Sequence, residues 1–196
     1  IEMSKSTSQN RDLRAVHIDT DFVCGAGRDI AEAGPDHYVL VIPPDPPSIP
    51  EAKGYDYYFC ARLTNASSEA RTVTLDAMRS GYANRKVEWR PSRVPVFISE
   101  DFRVWYVLDA VKASENHEEY RATVSLQPGQ TAYLSNSLPY PYQRMSAWLT
   151  RVQVEHSDLA QLFNLGPSVE GHEILLLSVT DPAVDDSAKD LSLIHI

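Results

Sequence analysis

Residues 133–152 read YLSNSLPYPYQRMSAWLTRV. Three signals follow one another there. The first residues continue an alternating strand. Pro139-Tyr140-Pro141-Tyr142 then makes an elbow, and Pro141 suits the start of a helix, where its missing N–H would have had no partner. Met145, Trp148, Leu149 and Val152 follow at i, i+3, i+4, i+7, which predicts one apolar helical stripe. The stretch divides a long β region from a segment of different character.

Upstream the pattern is β. Val16, Ile18 and Thr20 alternate with His17, Asp19 and Asp21. HYVLVI (37–42) is a short apolar run, and Pro43, Pro44, Pro46, Pro47 and Pro50 then forbid regular structure. YDYYFCARLT (55–64) resumes as a strand, with Tyr55, Tyr57, Phe59 and Ala61 on one face and Tyr58, Cys60 and Arg62 on the other. NASSEA is a turn leading into the alternating RTVTLDAM. Strands are expected at 94–98, 102–108, 120–126 and 131–135, with Pro128-Gly129 turning between the last two. Many short strands separated by turns predict an antiparallel β-sandwich over residues 15–136. Residues 1–14 read as a flexible tail.

Downstream, His156-Ser157-Asp158 reads as a helix stop, with Leu159, Leu162 and Phe163 as a short second helical turn. EILLLSVT (173–180) is a continuous apolar run of the kind buried on both faces of a parallel sheet. The expectation is therefore a mainly β chain: a sandwich, then at 137–190 a junction with the first helix and strand of a truncated α/β domain.

Composition excludes more than it assigns. The chain has 196 residues and a formal net charge of −9. That balance argues against general nucleic-acid binding, which needs a basic face. No apolar run approaches the roughly 20 residues of a membrane helix. The polar IEMSKSTSQNRDLR start does not resemble a signal peptide, so the expected location is cytoplasmic. Cys24 and Cys60 make no disulfide framework and read as buried thiols. Asn65-Ala66-Ser67 matches a glycosylation sequon, which carries little weight without a secretory signal.

No chemical motif stands out. The six histidines, His17, His37, His117, His156, His172 and His195, form no H-x-x-E, H-x-x-H or H-E-x-x-H pair. In Gly25-Ala26-Gly27, Ile30 replaces the third glycine of a dinucleotide fingerprint, so the stretch reads as a tight turn or bulge. Glu118-Glu119 and Asp185-Asp186 are adjacent acids that point to opposite sides of a strand or solvate a loop, and neither resembles a positioned acid/base pair. Tyr55, Tyr57, Tyr58 and Phe59 would form a sugar-stacking platform if exposed, or core if alternate members point inward. Trp89, Trp105 and Trp148 read as core or interface residues. No catalytic, metal or cofactor-binding residue is assigned.

FVCGAGRDI (22–30), YDYYFCARLTN, the PYPY elbow and GHEILLLSVTD together resemble the N-terminal domain of zinc carboxypeptidases of the cytosolic-carboxypeptidase type, and that domain's junction with the catalytic domain. The resemblance spans roughly residues 16–181. One departure is Pro141, where that family commonly has a hydroxyl residue. The resemblance implies a metallocarboxypeptidase, a hydrolase that removes amino acids from the C-termini of peptides or proteins. It also implies a zinc ion held by an H-x-x-E pair and a later histidine, with a glutamate as general base. That pair would follow soon after EILLLSVTD, so no ligand can be carried onto this chain, and the expected product is an inactive front part of a larger enzyme. Residues 191–196, LSLIHI, match the translation of CTG TCT CTT ATA CAC ATC, a transposon end used as a sequencing adapter, and are expected to be non-native, the alternative being a genuine apolar strand. The alternative is a non-catalytic β-sandwich module that binds carbohydrate or protein.

Overall fold

The computed structural model describes residues 15–44, 57–81, 88–113, 119–181 and 183–184. The expected N-terminal tail, Pro46, Pro47, Pro50, Tyr55, His117, Glu118, Asp185-Asp186, His195 and residues 191–196 lie outside the described residues. The chain divides into two compact units, Ile1–Pro139 and Tyr140–Ile196.

The first unit is built from β1 (Val16–Asp19), β2 (Arg28–Gly34), β3 (His37–Ile42), β4 (Cys60–Asn65), β5 (Arg71–Arg79), β6 (Trp89–Ser99), β7 (Tyr106–Ala113), β8 (Tyr120–Leu126) and β9 (Thr131–Ser135). All nine form one sheet in the order β1-β4-β9-β6-β7-β8-β5-β3-β2. This corrects the antiparallel sandwich. The sheet is mixed, because β3 and β5 run parallel, His37 opposite Thr74 and Ile42 opposite Arg79. It is also nearly closed. Ala26, just before β2 at one end of the order, exchanges two 2.9 Å backbone hydrogen bonds with Cys60 of β4, next to the other end. Gly27 makes that approach possible: its φ is 142°, and a Cβ there would lie 2.7 Å from the Leu40 side chain.

One core fills the inside. Leu40 and Ile42, Ala61 and Leu63, Val73, Leu75 and Ala77, Ala122, Val124 and Leu126, and Ala132 and Leu134 are buried at every second position of their strands. Each large aliphatic side chain removed from water contributes about 1.5–3 kcal/mol. The outward positions carry hydroxyl pairs across the strands, Thr64–Thr131, Thr72–Ser125 and Thr74–Thr123, at 3.0–3.3 Å. Alternation says that one face of each strand is covered. It does not say whether a second sheet or the same curled sheet covers it, and here it is the same sheet.

The second unit holds α1 (Tyr142–Glu155), β10 (Ala160–Pro167) and β11 (Glu173–Val179). Pro141 occupies the N-cap position with extended backbone, and its carbonyl accepts from the N–H groups of Arg144 and Met145 at 2.9 and 3.1 Å. Leu149 is buried, with Met145 and Val152 half-buried beside it, while Trp148 is 40% exposed and stands off the inner stripe. The expected second helical turn is instead β10, paired antiparallel with β11 with Leu162 opposite Leu177 and Phe163 opposite Leu176. α1 packs against this hairpin. β11 is therefore not a strand buried on both faces within this chain: Ile174 is 47% and Leu176 40% exposed. Among the described residues no helix is long and apolar enough to cross a membrane.

Candidate functional site

Two side-chain constellations sit on the outer face of the nine-stranded sheet. The first is a row across four strands. Asp19 of β1 lies opposite Arg62 of β4, Arg62 opposite Tyr133 of β9, and Tyr133 opposite Ser99 of β6. Arg62 grips Asp19 with two bonds, Nε to Oδ2 at 3.0 Å and Nη2 to Oδ1 at 2.9 Å. These hydrogen bonds push the guanidinium above its ordinary range. Phe22 lies under the Arg62 guanidinium at 5.4 Å and meets the rings of Phe102 and Tyr133 edge-on at 5.6 and 5.5 Å. Trp105 closes the group against Phe102 at 5.4 Å. Phe102 reaches it through a left-handed backbone, φ 62°, held by the Asp101 turn, where Oδ1 accepts from the N–H groups of Arg103 and Val104. Those two donors, and Ser99 more weakly, hold the Asp101 carboxyl below the usual carboxylate range.

The second constellation centres on Asp76 of β5, whose side chain is 5% exposed. Arg121 of β8 donates to both of its oxygens at 2.6 Å, and Nε2 of His37 lies 2.9 Å from Oδ2. The Arg121 guanidinium sits 4.3 Å from the centre of the Trp89 ring, and its bonds to Asp76 push it above its ordinary range. A histidine against a carboxylate is the base half of a nucleophilic triad. Among the described residues no hydroxyl or thiol hydrogen-bonds His37, so the group reads as a buried ion cluster that ties β3, β5 and β8 together.

The remaining sequence candidates disperse. His17 lies on β1, and His156 follows α1. His172 stacks on Tyr142 at 4.7 Å. Cys60 is fully buried and Cys24 partly so, and neither forms a disulfide. Burial pushes the Cys60 thiol up to about 11. Tyr58 is half-buried beside it, donates to the Cys24 carbonyl at 2.8 Å, and is raised well above the usual phenol range, chiefly by that burial. Phe59 is core and Tyr57 is 40% exposed with Arg79 over its ring, so residues 57–59 form no coplanar platform. Glu119 is buried, so of its two readings the one in which it solvates a loop does not hold. Asn65 of the sequon is sealed at 0% exposure. Among the described residues no three of His, Cys, Asp and Glu converge as a metal site.

The two constellations were out of reach from spacing alone. Asp19 and Arg62, or Asp76 and Arg121, are 43 and 45 residues apart and meet only through register.

No protein-family profile and no curated protein matches the sequence. Solved structures do share the fold. A metallo-carboxypeptidase from Burkholderia cenocepacia superposes with a TM-score of 0.61 at 23% identity, over 85% of this chain and 40% of that one. A candidate carboxypeptidase A from Shewanella denitrificans gives 0.62 at 24%, over 88% and 41%. A metallo-carboxypeptidase from Pseudomonas aeruginosa, solved with (2-guanidinoethylmercapto)succinic acid, gives 0.55 at 18%, over 82% and 39%. This chain therefore has the fold of about two fifths of those proteins.

Proposed function

We propose that this chain is the front part of a zinc metallocarboxypeptidase of the cytosolic type, a cytoplasmic hydrolase acting on peptide or protein C-termini. Residues 15–136 would be its N-terminal β domain and residues 137–190 the junction and start of its α/β catalytic domain. The observation that carries the reading is the fold likeness to metallo-carboxypeptidases over more than four fifths of this chain. The zinc would polarise the scissile carbonyl and activate water, and its ligands and general base would come from residues outside this chain.

The chain's own contribution is scaffolding. The nearly closed β unit is pinned by the Asp76 cluster and the Asp19–Arg62 pair, and would stand beside the catalytic cleft as a rigid wall that limits which chain ends enter. The hairpin offers what a larger sheet extends: among the described residues β11 pairs with β10 alone, and Phe163 and Leu176, opposite each other, are each 40% exposed. The test is to extend the reading frame past the codon for Asp190 in the parent DNA and purify both products. The extended protein should bind zinc and release C-terminal amino acids, and the 196-residue chain should do neither. An extension without H-x-x-E and a later histidine would overturn the reading, as would stoichiometric zinc and activity in the 196-residue chain.

A further inference from the structure

Between residues 140 and 181 the sequence has two basic side chains, Arg144 and Arg151, against five carboxylates, Glu155, Asp158, Glu170, Glu173 and Asp181. Both arginines are on α1, and both line the same groove of about 450 Å³, with Tyr140, Ala147 and Trp148. Arg144 sits over the Tyr140 ring at 5.6 Å. Among the described residues no carboxylate pairs with either guanidinium, although Glu155 follows Arg151 one helical turn on. The two arginines of residues 140–181 are thus gathered in one place and left uncompensated among the described residues, between two aromatic walls and over a small floor at Ala147.

We propose that this groove docks an acidic peptide segment of a partner protein, gripped by its side-chain carboxylates. Spacing decides between that and a single small anion. Seven helical residues separate the arginines, a rise of about 10 Å. Both side chains lean toward the helix N-terminus, which preserves the separation. One phosphate or one carboxylate does not span it. An extended peptide repeats same-side residues about every 7 Å, and the reach of two arginines and two glutamates closes the difference. Each guanidinium would take a carboxylate in a bidentate pair. The faces of Tyr140 and Trp148 would cover the methylene stems. The recognition involves no C-terminus, so it stands apart from the carboxypeptidase reading.

The test is fluorescence anisotropy of a fluorescein-labelled, C-terminally amidated glutamate-rich peptide titrated with the whole chain. Binding should be saturable and weakened by high salt. It should be equal for the peptide with a free C-terminus and absent for a lysine-rich one. Arg144→Gln with Arg151→Gln should weaken it by about tenfold or more, equivalent to about 1.4 kcal/mol. Both positions face solvent, and unchanged circular dichroism would show that the double variant folds. Equal binding by the double variant, or no saturable binding, overturns the proposal. Full competition by inorganic phosphate at one equivalent would replace it with a single-anion site. Binding only of the free C-terminus would show capture by a different mode and overturn it.

Discussion

Replacing Asn65 with alanine removes the polar knot that joins two turns of the β unit, β4–β5 and β8–β9. The Asn65 side chain is fully buried. Its Nδ2 donates to the carbonyls of Glu69, Leu126 and Gln127 at 2.8, 3.0 and 3.2 Å. Its Oδ1 accepts from the N–H and hydroxyl of Ser67 at 3.0 and 2.7 Å. The groups of Ser67 and Glu69 can turn to water, at little cost. The Leu126 carbonyl lies in the buried end of the knot and loses its side-chain donor. With about 1 kcal/mol for each net bond and 1–3 kcal/mol for a stranded buried group, the expected loss is about 3 kcal/mol. Urea unfolding in a Trp148→Phe background, where Trp89 and Trp105 report the β unit, should show the midpoint falling by at least about 1 M. Asn65→Asp preserves the shape but points a carboxylate at three carbonyl oxygens. Burial and those acceptors raise the introduced group's folded pKa, so its penalty should grow as pH rises and ease in acid. An Asn65→Ala variant within about 0.5 kcal/mol of the parent would refute the reasoning. The same burial predicts that the sequon is a poor glycosylation acceptor in the folded chain.

Other perturbations test the remaining clusters. Asp76→Asn leaves Arg121 and His37 without their shared anion and should cost about 2–3 kcal/mol in urea unfolding, less than for a fully buried pair because Arg121 keeps some water. At pH 8, Ellman's reagent should modify Cys24 in the native chain and reach Cys60 only on unfolding; rapid reaction of both thiols would contradict the burial of Cys60. The Cys60 folded pKa is raised to about 11, so its contribution is complete below the ordinary thiol pKa of about 8.5 and is lost as pH climbs toward the folded value. Cys60→Ala with Tyr58→Phe should flatten that alkaline fall. Asp101 has the opposite sign: its depressed folded pKa stabilises above the ordinary aspartate value of about 3.9 and the effect disappears as pH falls through the folded one. Asp101→Asn should accordingly flatten the acid limb of the stability curve.

Which parts of this architecture the sequence carries follows from what each pattern encodes. β3, β5, β8 and β9 were legible because alternate residues enter one core, and the Pro128-Gly129 turn because Gly129 sits at φ 73°. The helix start was legible through Pro141. β2 was not, because RDIAEAG is an edge strand with almost no buried position and hence no apolar period to read. β10 was misread because Leu159, Leu162 and Phe163 satisfy helical spacing as well as strand pairing when both faces of a short hairpin are partly apolar. Phe102 was assigned to a strand, yet its left-handed backbone delays β7 to Tyr106. The side-chain clusters failed for a deeper reason. Asp19, Arg62, Tyr133 and Ser99 belong to four strands, and a one-residue slip of any of them would send its member into the core. The apolar alternation that fixes the inside thus also fixes which polar residues meet outside. The information is present in every strand but becomes a site only when all the registers are known together. The α1 groove is the converse case: Arg144, Ala147, Trp148 and Arg151 are local in sequence and share a helical face, but Trp148 also fits the apolar stripe, and only its 40% exposure assigns it to the groove. That is why the chain's most readable candidate for binding lies in its smaller unit, where one helix rather than nine strands decides what meets.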